Sequence, residues 1–146
     1  MALRAQRIAE NLGCIRTQVD ILAPLSSSAE ALKDVLSDPL RLGGVKYALQ
    51  TAIESVIDSM YHIAAQVFHL APASAQDAAD ILMENKVVSP ELHRSLVRMI
   101  GFQSRLVHND QRIDLAILES ILRENLADFR AWGQAMLPWL AEAEQE

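Results

Sequence analysis

The chain has 146 residues, 51% of them hydrophobic, with 19 acidic against 13 basic side chains and a net charge of −6. That length suits one domain, 1–146, with a sizeable core, and that composition excludes a disordered chain. The acidic balance excludes a protein that coats nucleic acid through bulk charge, while leaving room for a local basic site or a basic partner.

Five glycines and five prolines are too few for an all-β chain of tight turns. Leu, Ala, Ile and Glu recur at helical spacing, so an all-α fold is expected. In the first helix, 3–22, Ile8, Leu12, Ile15, Val19 and Leu22 form an a/d stripe, the mark of a bundle core or of half a dimer seam. Its start lacks a signal peptide's apolar run, and no stretch of about 18 apolar residues follows anywhere, so a cytoplasmic protein without a membrane span is expected. The single cysteine, Cys14, rules out an intrachain disulfide or a cysteine zinc site and reads as a buried thiol.

Pro24 should end this helix. Ser26–Ser28 supplies N-caps for a short helix over 29–36. Ser37-Asp38-Pro39 and Gly43-Gly44 read as a loop. The strongest helix is 45–68, where Val45, Leu49, Ala52, Ile53, Val56, Met60, Ile63 and Val67 share one face at about 100° per residue. Tyr47, Glu54, Asp58, Tyr61 and His62 fall on the other side. Asp58 and His62 are i,i+4 neighbours, placed for a carboxylate to orient an imidazole, or else to form part of a solvated face. After a loop at His69–Ala73, Ser74 and Asp77 resemble a capping box for a helix ending near Lys86. Ser89-Pro90 then offers an N-cap and a first-turn proline. Leu92, Leu96, Met99, Leu106 and Val107 make the core stripe of the helix that follows. Asp114 should cap a last helix carrying Leu118, Ile121, Leu122, Leu126, Phe129, Trp132 and Met136. Pro138 should end or kink it, and the acidic tail 141–146 should fray. The sum is an up-and-down bundle of five to six helices.

The helix after Pro90 carries the chemistry. At about 100° per residue, Arg94, Arg98, Arg105 and His108 fall within an arc of roughly 80°, which Arg112 would join if the helix continued. Such an arc either binds phosphate or is simply solvated. His108 lies near the helix end, where the dipole favours its protonated form, and where it is also placed for proton transfer. Gln103 sits apart, near the middle of the apolar stripe. Either its amide bonds a core backbone group or that face opens onto a polar crevice or a subunit interface.

The segment from about Leu40 to Leu137 resembles the HepT-like branch of the HEPN family. The resemblance rests on Ala48–Asp58, Pro72, Ile81-Leu82, Met99-Ile100-Gly101-Phe102, Arg105-Leu106-Val107-His108 and Ile113-Asp114. It implies a homodimeric helical bundle whose motif helices meet at the interface. It also implies a metal-independent, cofactor-free ribonuclease toxin acting on RNA, with an MNT-type nucleotidyltransferase as antitoxin that transfers AMP to a tyrosine. The family motif has an arginine, a polar residue, and a histidine, with a tyrosine two residues beyond. Here Gln103 stands for the arginine, Ser104 is the polar residue, His108 is retained, and Asp110 stands for the tyrosine. The resemblance makes His108 the proton-transfer residue, Arg105 the available cation, and Gln103 and Ser104 the groups that orient phosphate. Loss of one charged stabiliser typically costs about 10²–10³ in rate. A weakened toxin and an inactive module that binds RNA, nucleotide or a nucleotidyltransferase are therefore both carried forward.

Overall fold

The computed structural model describes the backbone of residues 2–108 and 115–144, and the side chains of 5–106 and 115–140. Every regular element among them is helical. Helix α1 spans Ala2–Leu22 and yields to a 3₁₀ turn, Ala23–Ser26, at Pro24. Pro24 lacks the N–H that would continue the α-helical ladder. Ser28 Oγ accepts from Ala31 N–H and starts α2, Ala29–Ser37.

Helix α3, Pro39–Gln66, begins earlier than the sequence reading placed it. The expected loop at Ser37–Gly44 is mostly helix. Asp38 Oδ1 accepts from Leu40 N–H at 3.1 Å, and Pro39 occupies the first turn with its dihedral already set. That start signal outweighs the roughly 1 kcal/mol that each glycine costs inside a helix. Val45, Leu49, Ala52, Ile53, Val56, Met60 and Ile63 are all buried, as their spacing predicts.

Among the described residues, the non-glycine positions with positive φ are His69 and Lys86. Ser74 Oγ accepts from Asp77 N–H, and the Asp77 carboxylate accepts from Ala73 N–H, capping α4, Ala75–Glu84. Ser89 Oγ accepts from Leu92 N–H at the start of α5, Pro90–His108. Helix α6, Leu115–Ser120, passes through a π-helical turn, Ile121–Asn125, into α7, Leu126–Glu144. The helix does not end at Pro138, which lies inside it. The expected cap Asp114 lies outside the described residues.

Helix α3 is the centre of the bundle and packs on α1, α2, α4 and α5; α7 closes it against α1 and α5. One hydrophobic cluster runs through all of these, from Ile8 and Leu22 of α1 to Trp132 and Met136 of α7. Cys14 is half-buried on α1 rather than in that core. Among the described residues no helix is long and apolar enough to cross a membrane.

Candidate functional site

Helix α5 and the α6–π–α7 rod leave a cleft between them. One wall is α5, with Arg98, Gly101, Phe102 and Arg105. The other is the α6–π–α7 rod, with Ile117, Ile121, Asn125 and Asp128, and Leu49 and Ile53 of α3 form the floor. Its volume is about 530 Å³. The π-helical turn supplies part of the second wall. A widened turn of this kind often marks a functional site, because it changes which side chains face the groove.

Polar groups gather at one end. Ser95 Oγ donates to Asp128 Oδ1 at 3.2 Å. Arg98 Nη2 donates to Ser95 Oγ at 3.1 Å and stands 3.8 Å from Asp128 Oδ2. Asn125 Nδ2 donates to Asp128 Oδ2 at 3.2 Å. This network ties α5 to α7 and fixes the orientation of the carboxylate. Arg105 lies two turns further along α5, exposed, on the same cleft. A cation there is favoured by the partial negative charge at a helix C-terminus.

The basic arc read from the sequence is therefore partly realised: Arg98 and Arg105 line one cleft. The other candidate residues distribute differently. Gln103 is half-buried and Ser104 exposed, and neither lines the cleft. Gln103 lies about 160° round the helix from Arg105 at 100° per residue. The backbone of His108 is the last residue of α5, one turn beyond Arg105. Its side chain, and the whole of Asp110 and Arg112, lie outside the described residues.

The polar face of α3 is occupied differently from either sequence reading. Arg7 donates to both Asp58 oxygens, at 2.9 and 2.7 Å, and Asn11 Nδ2 donates to Oδ2 at 2.8 Å. These hydrogen bonds, from Arg7 first and Asn11 next, hold the Asp58 carboxyl below its ordinary range against the opposing effect of partial burial. The carboxylate thus clamps α1 to α3, with His62 contributing only a minor Coulombic influence on it. Two further features escaped the sequence. His93 Nε2 lies 2.6 Å from Asp80 Oδ1, joining α4 to α5. The Ser95–Asp128–Asn125 set joins residues from different elements, which helical periodicity within one element does not reveal.

A model of the ribonuclease HepT-like family matches residues 15–136. The chain belongs to that family. This HepT-like chain is 31% identical over 81 residues to the mRNA nuclease HepT of Shewanella oneidensis. That match covers 56% of this chain and 61% of the relative, so it spans about three fifths of the relative's length. Solved structures share the fold. A crystal structure of a toxin–antitoxin with AMP-PNP superposes with a TM-score of 0.81 at 23% identity, covering 90% of the HepT-like chain and 97% of its own. The tri-AMPylated HEPN toxin of Shewanella oneidensis in complex with MNT antitoxin gives 0.80 at 23%, covering 89% and 96%. A cytosolic Bacillus subtilis protein of unknown function gives 0.78 at 18%, covering 92% and 89%.

Proposed function

We propose that this chain, as one domain, is the toxin of a toxin–antitoxin pair and a homodimeric, metal-independent endoribonuclease of reduced power. The observation that carries this reading is the placement of Arg98 and Arg105 on one cleft of the helix that ends at His108, in a chain of the ribonuclease HepT-like family. Cleavage without a metal needs a base for the RNA 2′-hydroxyl, an acid for the departing 5′-oxygen and a cation at the phosphoryl oxygens. His108 transfers the proton, since imidazole titrates near neutral pH. Arg105, one turn away along α5, stabilises the charge that develops on the phosphoryl oxygens. Gln103 and Ser104 donate hydrogen bonds from the partner side of the dimer cleft. An MNT-type nucleotidyltransferase is the proposed partner, by analogy with the Shewanella oneidensis HEPN toxin in complex with MNT antitoxin. Because Asp110 lacks a phenol, AMP is not accepted at that position.

One observation favours a second reading, an inactive module that binds RNA, nucleotide or the nucleotidyltransferase. Gln103 is uncharged and does not share the cleft that Arg105 lines. Comparing native chain with Gln103→Arg on a mixed RNA substrate separates the two. The nuclease reading expects measurable native cleavage that rises by about 10²–10³ on restoration of the charge. Native protein without cleavage, made active only by Gln103→Arg, would establish the second reading instead.

A further inference from the structure

We propose that the cleft between α5 and the α6–π–α7 rod is a base-binding subsite, and that its occupant is a guanine base. The proposal deepens the ribonuclease reading by naming what the cleft takes, and it rests on that reading for its role in RNA recognition.

The cavity of about 530 Å³ lies within the range of small-ligand sites. Phe102 on α5 and Ile117 on α6 belong to opposite walls and give the cleft apolar lining, the kind of surface on which a base ring is accommodated. The end of the slot is richer in acceptors than an apolar groove requires. Each Asp128 oxygen receives one hydrogen bond, from Ser95 or from Asn125. A carboxylate has about four acceptor sites, so capacity remains on both oxygens. Guanine offers two adjacent donors, N1–H and the 2-amino group, at the spacing of a carboxylate's two oxygens. Adenine and cytosine each turn a ring-nitrogen acceptor toward the carboxylate beside their single amino donor, and uracil flanks its N–H with two carbonyls. Those arrangements repel. Arg98 adds the complementary donor: one Nη2 bond goes to Ser95, and its remaining N–H groups suit the O6 or N7 acceptors of guanine.

The two ends of the cleft are also separated as a nucleotide needs. Arg105 lies two turns from Arg98, about 10 Å along the helix axis, so it meets a phosphate without bringing that phosphate onto Asp128. Gly101 lies between them. A Cβ built there meets nothing within 4 Å, so no neighbour among the described residues requires its absence. A glycine on an open wall lets a ligand reach the backbone closely.

Calorimetric titration of the purified chain with the 5′-monophosphates of guanosine, inosine, adenosine, cytidine and uridine tests this. Guanosine monophosphate is expected to bind about five- to a hundredfold tighter than adenosine monophosphate, with inosine, lacking only the 2-amino group, in between. Asp128→Asn should remove the preference. Gly101→Leu, whose Cβ meets nothing within 4 Å and whose remaining atoms project into the cleft, should abolish binding of every nucleotide while leaving the helical circular dichroism intact, so the test stands even if Asp128→Asn fails to fold. Equal binding of all bases, no binding, or a preference that survives Asp128→Asn overturns the proposal. So does Gly101→Leu acting on sedimentation mass instead of on nucleotide binding, which would mean that a second copy covers the cleft. The readout does not depend on cleavage. A chain that discriminates guanine but cuts no RNA keeps the subsite and loses the nuclease; a chain that cuts RNA without discriminating does the reverse.

Discussion

Replacing Gly101 with alanine should make the protein more stable. Glycine in a helix interior is less favourable than alanine by about 0.8–1 kcal/mol, because its backbone loses more freedom on folding. Such a gain is realised only where the new methyl fits. Gly101 lies well inside α5, Pro90–His108, and has no positive φ. A Cβ built on it meets no heavy atom within 4 Å, so no clash offsets the gain. The expected increase is about 1 kcal/mol, or roughly 3 °C in Tm for a chain of this size. Urea and thermal unfolding followed by helical circular dichroism measure it, at more than one protein concentration so that any linked assembly is visible. An unchanged or lowered midpoint at every protein concentration would contradict this expectation.

Asp58→Asn tests the clamp between α1 and α3. The folded carboxyl titrates below the ordinary value of 3.8, so its stabilisation is present above that value and lost as pH falls through the lower folded one. The stability gap between native protein and variant should therefore be constant near neutrality and close below about pH 4; a gap independent of pH down to acid unfolding would contradict the assignment. His93→Ala should cost about 1–2 kcal/mol by leaving Asp80 without its 2.6 Å partner, measured by urea denaturation, and a change within error would show the contact to be unimportant. Trp132 is 0% exposed, so Trp132→Ala should cost about 3–5 kcal/mol. Trp132→Phe should cost clearly less, because the buried indole Nε1 has no hydrogen-bond partner among the described residues to forfeit; equal losses for the two variants would go against this.

The long helices were legible because burial imposes a 3.6-residue period. The stripe from Val45 to Ile63 is buried as its spacing requires, and so is that from Leu118 to Met136 apart from Ile121, which is only partly buried. Capping was legible at Ser28, Ser74 and Ser89, where a serine hydroxyl oxygen accepts from a first-turn N–H. The start of α3 was misread because Gly43 and Gly44 were weighed as breakers while the stronger signal, Asp38 followed by Pro39, lay just before them. The candidate site was legible only along one helix. Periodicity put Arg98 and Arg105 on one arc, and the structure gives both to one cleft. It was silent about Asp128, because its partner Ser95 comes from a different helix. It also suggested a link from Asp58 to His62 along α3, where the stronger partners are Arg7 and Asn11 across an interface. Neighbours along one helix follow from helical geometry, whereas partners between helices follow from packing.

The proposed chemistry assigns metal-free RNA cleavage to His108 and Arg105. The most direct measurement is cleavage of a defined RNA by purified native chain in the presence of EDTA, beside His108→Ala and Arg105→Ala proteins of equal helicity. Native chain is expected to cleave, His108→Ala to lose cleavage, and Arg105→Ala to fall by about 10²–10³. Undiminished cleavage by His108→Ala would contradict that assignment.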